Sequence, residues 1–418
     1  MSMGLTVVLS LVVVTGLMTG TRVAAQTETV LYNFTCCPRP GPSYQPRAGL
    51  VSDAAGNLYG TTVQGGAYGF GAVFELSPIA GGGWSEKVIY SFNEKPGQDD
   101  FGPESGLTLD AAGNLYGTKG TGGAFDLGMV FKLVPSGGGT WTLKVLHSFT
   151  GNDGGGPEAG VIFDGGGNLY GTTVGGGAYG RGAVFVLSPN PGGGWREKVL
   201  HSFRQVRPEG ITPFAGLVFD AAGNLYGTTI GGGSSKTCQG GCGTVFKLSP
   251  VTGKGWRETV LHSFDDNGTD GALPYGGLII DGAGNLYGTT FRGGNGRYGT
   301  VFEFSPVAGG GWTETILHNF SNNGTDGAEP EFGTLLLAGG NLYGSTPAGG
   351  PDGRGTVYKL SPAGGGGWTE TILHTFEGDD GISPNGSLIM DSSGNLYGTT
   401  FSGGTAFGGG GTVFEIMP

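Results

Sequence analysis

Charge is scarce in this chain. Asp, Glu, Lys and Arg make up 13% of its 418 residues, and 21 Lys and Arg face 33 Asp and Glu, for a formal net charge of −12. Phosphate backbones are held by clustered Lys and Arg, so no nucleic-acid partner is expected. No segment repeats its apolar residues at a 3.6-residue period, which argues against helices. Long hydrophobic runs are missing beyond the N-terminus, where Leu5 to Met18 is mostly apolar and Val23-Ala24-Ala25 precedes Gln26. The run is short for a membrane span, and the small residues after it suit a cleavage site, although no Lys or Arg precedes it. The reading is a signal peptide over residues 1–25, the alternative being a membrane anchor. Export, with no membrane span after cleavage, permits the four Cys to oxidise.

Glycine is abundant instead: 94 Gly and 22 Pro, a level that suggests disorder only where it lacks a period. Here it has one. Gly-Asn-Leu-Tyr-Gly occurs seven times, with Asn at 57, 114, 168, 224, 285, 341 and 395, so that the copies lie 57, 54, 56, 61, 56 and 54 residues apart. Such a period signals a repeat architecture.

The unit from Phe214 to Phe264 reads as four short strands: Gly216–Asp220, Leu225–Ile230, Gly243–Leu248 and Trp256–Phe264. Gly, Asn, Asp and Ser-Pro segments form the hairpin loops between them. Four antiparallel strands in a unit of this length make a propeller blade. The seventh unit stops after its third strand, Gly411–Ile416, while Thr27–Phe34 matches the fourth strand Thr313–Phe320 at six of eight positions. The chain is therefore predicted to be all-β: one seven-bladed propeller over residues 26–418, closed by pairing of the N-terminal strand with the C-terminal ones. Closure removes exposed sheet edges.

The unit Gly-Leu-x-x-Asp-x-x-Gly-Asn-Leu-Tyr-Gly-Thr-Thr, followed by Gly-x-Val-Phe-x-Leu-Ser-Pro and Gly-Trp-x-Glu, resembles the GloVer tandem repeat of secreted bacterial proteins. The resemblance covers residues 27 to 418. It implies an extracellular or periplasmic propeller and no particular activity, since that family is defined by its repeats and sorting anchors. More distantly the unit is similar to kelch repeats and to NHL-type propellers, which again bears on blade topology alone.

Repetition also sorts the candidate chemistry. The five His (His147, His201, His262, His318 and His374) share one blade position, filled by Tyr32 and Tyr90 in the other copies. Spread one per blade, they read as packing residues and cannot meet at one metal. The Trp that opens six of the fourth strands, the Glu two residues later (Leu143 in one copy) and the hairpin Asp read as structural too. An acidic residue recurs four positions before a Pro in the linkers between blades: Asp99, Asp153, Glu209, Asp270, Asp326 and Asp380. Around one mouth these form a candidate Ca²⁺ site with backbone carbonyls; the alternative is solvated Asp-Gly turns. Residues that vary between blades on the same face, Tyr68, Phe125, Tyr179, Arg181, Arg292, Arg297, Tyr298 and Arg354, with Phe407, form a candidate ligand face for a carbohydrate or peptide. Cys238 and Cys242 are expected to form a local disulfide in an enlarged loop.

No catalytic residue is assigned. The functional expectation is an exported, non-catalytic binding or scaffold module for an extracellular carbohydrate or protein. One rival is a Ca²⁺-dependent enzyme acting on glycans or lactones at the channel mouth. Another is a purely structural surface or adhesion component.

Overall fold

The computed structural model describes residues 26–36, 41–93, 102–406 and 408–417. The predicted leader, Cys37, Asp99 and Phe407 lie outside them. In the fifth blade, Ile279–Ile280, Leu286–Thr290, Thr300–Pro306 and Trp312–Asn319 are antiparallel neighbours in that order. Seven such sheets form the ring. Among the described residues the only helical turn is a 3-10 turn at Gly137–Gly139.

The innermost strand is shorter than its sequence suggests. Of Gly216–Asp220 only Val218–Phe219 pairs. The preceding residues lie at the hub, against the backbone of a neighbouring blade: a Cβ on Gly160 would sit 2.8 Å from the Gly106 carbonyl oxygen. Their carbonyls serve that neighbour. Thr118 Oγ1 donates to Ala159 O at 2.8 Å, Thr172 Oγ1 to Ala215 O at 2.9 Å and Thr399 Oγ1 to Ala48 O at 3.0 Å. The first Thr of Gly-Thr-Thr is thus a link from blade to blade around the hub. The equivalent Thr289 hydroxyl is buried without a partner, and the blade that follows it has one extra residue between Pro330 and Leu335.

Aromatic rings join the blades further out. The Phe that ends each fourth strand packs against the aromatic of the next blade's third strand, as in Phe92–Phe131 at 5.3 Å, Phe203–Phe246 at 5.2 Å and Phe376–Phe414 at 5.2 Å between ring centres. The last Gly of Gly-Asn-Leu-Tyr-Gly makes room for that third-strand ring: a Cβ on Gly227 would lie 2.7 Å from Phe246 Cζ. The Trp of one blade meets the Tyr of the previous one, Trp312 on Tyr226 at 5.9 Å. Edge-to-face aromatic pairs of this kind contribute about 0.5–1.5 kcal/mol each beyond the area they bury.

Closure follows the predicted register. Thr27–Asn33 pairs antiparallel with Thr412–Met417, from Thr27 opposite Met417 to Asn33 opposite Thr412. Phe34, fully buried, then packs on Phe74 of the first blade at 5.1 Å, the same contact that joins the other blades. Deleting Thr27 to Phe34 should therefore open the ring and abolish a single cooperative melt. A truncated protein that melts like the full-length mature chain, by circular dichroism or calorimetry, would overturn the role assigned to this strand.

Candidate functional site

Each linker enters the hub through a kink. The residue before the linker Pro has a positive φ in several blades: Gln45 at 60°, Thr212, Leu273 and Glu329 at 58°, Ser383 at 56°. This left-handed conformation is costly for residues with a side chain and persists only where the surroundings fix it. Here both backbone groups are tied. Thr212 N–H donates to Arg181 O of the preceding blade at 2.9 Å, and its carbonyl accepts from Ile230 of its own blade at 3.1 Å; Ser383 is held the same way between Arg354 and Phe401. The kink turns the residue after the Pro toward the channel.

That residue differs from blade to blade: Arg47, Glu104, Glu158, Phe214, Tyr275, Glu331 and Asn385. The extra residue of the sixth blade brings Phe332 beside it. Except for Glu331, these residues line one cavity of about 290 Å³ at the linker end of the channel, together with Phe332. Its walls are chemically opposite. On one side Arg47 Nη1 donates to Glu104 Oε2 at 2.5 Å, next to Glu158. On the other, Phe214 packs on Tyr275 at 5.5 Å and on Phe332 at 5.4 Å, with Phe291 behind Tyr275 at 5.6 Å. The Arg47 guanidinium bridges the two walls, lying 4.1 Å over the Phe332 ring.

Electrostatics single out Glu158. Burial, reinforced by the negative Glu104 and opposed by Arg47 and Lys119, pushes its carboxyl up to about 7. Burial also raises Glu104 and Glu331, with Arg47 opposing it in both. Lys119 is fully buried where six other blades carry Thr, and its ammonium donates to Thr121 Oγ1 at 2.8 Å. Gly120 leaves space for the acid, since a Cβ there would lie 2.5 Å from Glu158 Oε1. Asn385, only 8% exposed, has an Oδ1 with no hydrogen-bond partner. This ring escaped the sequence reading. Its signal was the variable position after each linker Pro and the lone Lys in Gly-Thr-Lys.

The linker acids do not meet around the mouth. Each described one faces the His of the blade it leaves: Asp153 with His147 at 3.0 Å, Glu209 with His201 at 3.1 Å, Asp270 with His262 at 3.0 Å, Asp326 with His318 at 3.3 Å and Asp380 with His374 at 2.8 Å. A register shift in the fourth strand just before the His re-aims the ring toward the linker, as between Val301 and Phe302 opposite His318. The Glu of the next blade completes a trio, Glu314 lying 3.6 Å from His262 and Glu370 3.6 Å from His318. In four interfaces the imidazole and two carboxylates present ligand atoms within 4.8 Å of one another. Such a set suits at most one ion per interface, not one Ca²⁺ shared by a ring of acids. Asp99 lies outside the described residues.

The predicted ligand face is likewise dispersed. Tyr68, Phe125 and Tyr179 are 57–60% exposed, one to a blade. Arg181 donates to Gln205 at 2.6 Å, Arg297 and Tyr298 are exposed and Arg354 half-buried on their own loops. Of these only Arg292 reaches toward the channel, over the Phe291 ring at 5.5 Å. Cys238 and Cys242 form a disulfide, with Cα atoms 5.2 Å apart.

A family model described as the Gloeobacter/Verrucomicrobia repeat matches residues 16–240 and 234–418. No curated protein gives a significant match. Among solved structures, a protein assigned as an oxidoreductase (glucose dehydrogenase) from Thermus thermophilus is 18% identical, with a TM-score of 0.43, covering 75% of this chain and 96% of its own. A luciferin-regenerating enzyme is 12% identical, also with a TM-score of 0.43, covering 94% of this chain and 95% of its own. Neither similarity bears on activity.

The trios make stability depend on pH in a defined direction. Burial pushes Glu28, Glu197, Glu258, Glu314 and Glu370 up to about 7 from an ordinary 4.5. For His262 and His318 burial opposes the charge, but bonds to Asp270 and Asp326 and the nearby Glu outweigh it and raise them. A raised folded value means stability that is present at low pH and lost as pH climbs through that value. In EDTA the melting temperature should fall between pH 5.5 and 8.5, by on the order of 5 °C, and by less in Glu314→Gln and Glu370→Gln. A melt that rises over this range would contradict the buried, shared charge.

Proposed function

The chain belongs to the Gloeobacter/Verrucomicrobia repeat family, and from its channel mouth we propose that it is an exported, non-catalytic binding module for a small extracellular ligand. One observation carries this reading. At the position after each linker Pro, seven equivalent places hold Arg, three Glu, Phe, Tyr and Asn, and six of them turn into one cavity. Repeated positions build the ring; a position that is structurally equivalent and chemically variable from blade to blade is free of that duty. Export accords with the Cys238–Cys242 disulfide and with the absence, among the described residues, of any helix long and apolar enough to cross a membrane.

Glu158 favours a second reading. A carboxyl held near neutrality beside Glu104 and Arg47 is suited to proton donation, which supports an enzyme acting on glycans or lactones. Against it, Arg47 is committed to Glu104 and Phe332, which ties up the one other carboxylate that could act with Glu158 in the cavity.

Phenol, indole and glycerol, screened as fragment probes by ligand-observed NMR, should occupy the channel mouth. Phe214→Ala should weaken the aromatic probes about tenfold, the loss expected for one buried ring contact. Tyr68→Ala and Tyr179→Ala should change nothing. Probe binding lost in the rim variants and kept in Phe214→Ala would move the site to the loops. Turnover of glycan or lactone substrates that is lost in Glu158→Gln would replace the binding reading with the enzymatic one.

A further inference from the structure

The polar wall of the cavity carries more acid than base. Glu104 and Glu158 offer carboxylate oxygens to it, and Asn385 Oδ1 is buried with nothing to accept from. The nearby cations are already engaged, Arg47 by Glu104 and Phe332, Lys119 by Thr121. A buried acceptor left unpaired costs about 1–3 kcal/mol, so a ligand that brings donors to it is strongly favoured over one that brings further acceptors. An anionic ligand would meet the carboxylates of Glu104 and Glu158 on the polar wall, with the guanidinium of Arg47, already shared with Glu104, to offset them.

The facing wall asks for an apolar surface. Phe214, Tyr275 and Phe332 are half-buried; the Phe214 and Phe332 planes lie 34° apart, Tyr275 stands nearly perpendicular to both, and Arg47 covers one face of Phe332, so the wall is apolar and stepped. One kind of small molecule has an apolar face of C–H bonds and a rim of hydroxyl donors: a pyranose ring. C–H groups pack well on aromatic faces, and the hydroxyls then point sideways to the polar wall. At about 290 Å³ the cavity is at the small end of ligand clefts, a fit for a terminal sugar unit and not for an extended chain.

Taking the channel mouth as the binding site, as proposed above, we infer that its ligand is a non-anionic sugar, packed by its C–H face against the aromatic wall of Phe214, Tyr275 and Phe332 and donating hydroxyl or ammonium hydrogens to Glu104, Glu158 and Asn385. Asn385, whose amide both accepts and donates, is satisfied by a hydroxyl, which does the same; the discrimination against an anion comes from Glu104 and Glu158.

Glucose, glucosamine, cellobiose and glucuronate, titrated into the mature protein and followed by saturation-transfer NMR and calorimetry, test this. The first three should bind, with a dissociation constant on the order of 1 mM for a single ring and the strongest transfer at ring C–H protons. Glucuronate should bind about tenfold more weakly or not at all. Asn385→Leu and Phe214→Ala should each weaken the sugars about tenfold, with melting curves confirming that both fold; Tyr275→Leu substitutes for either if it does not. Glucuronate binding as well as glucose, or sugar affinity unchanged in the variants, would overturn the inference. If phenol and indole occupy the channel but no sugar does, the sugar class falls and the site stands. If they do not occupy it either, both fall.

Discussion

The ring depends on one contact made over and over: the edge of an aromatic that ends one blade set against the face of an aromatic in the third strand of the next. Phe92 on Phe131 and Phe203 on Phe246 are two instances. A blade of four short strands has too little surface to bury a core by itself, so its apolar face is completed only by its neighbour. Phe34 on Phe74 is what makes the arrangement cyclic. The rest of the unit serves that contact. Glycine in the second strand gives the ring its space, the Asp hairpin ends the inner strand sharply, and the hub Thr links inner segments one to the next.

A scaffold built this way separates construction from chemistry. Asp220 Oδ1 accepts from the amides of Ala222 and Asn224, and Oδ2 from the Asn224 side chain and the Tyr226 hydroxyl. The same set recurs at Asp53, Asp110, Asp164, Asp281 and Asp391; the sixth blade, which has no Asp there, closes its hairpin on Gly339-Gly340 instead. The residue after the linker Pro is placed by its backbone, through the kink at residues such as Thr212 and Ser383. Its side chain meets its counterparts across the mouth, as Arg47 meets Glu104 and Phe214 meets Tyr275, and takes no part in the repeated aromatic contact that joins the blades. Diversity therefore accumulates at the channel mouth without loss of the fold.

Most of the architecture was legible because it is periodic. The seven Gly-Asn-Leu-Tyr-Gly copies gave blade number and strand order, and the match of Thr27–Phe34 to Thr313–Phe320 gave the closure. The structural roles of Trp312 and Asp220 followed from their recurrence; the five His, read as packing residues, also bond the linker acids. The candidate site was not legible for the converse reason. Variable residues were sought in the long loops between second and third strands, where Tyr68 and Tyr179 are conspicuous. Those loops point outward from separate blades. Convergence at the hub is produced by a left-handed residue before Pro, a conformation that Gln45, Leu273 or Glu329 does not announce in a sequence. The linker acids were misplaced for a related reason: a bulge in the preceding strand brings His to them, so their charge is spent between blades.

Recurrence also decides how to read an unsatisfied group. Oε1 of Glu28, Glu197, Glu258, Glu314 and Glu370 is buried without a partner, and so at first sight resembles Asn385 Oδ1. These Glu, however, occupy one position and stand next to the same His and linker acid wherever both occur. Where the His is replaced by Tyr32, Glu86 accepts from Ser43 at 3.1 Å instead; where it is replaced by Tyr90, the Glu position is Leu143. The burial cost of the Glu is thus met, blade by blade, by a proton on the trio or a local donor, and it vanishes when the trio does. Asn385 has no counterpart: at its position the other blades carry charged or aromatic side chains. A buried cost that recurs belongs to the architecture, whereas one that appears once, in a cavity, calls for something outside the chain to satisfy it.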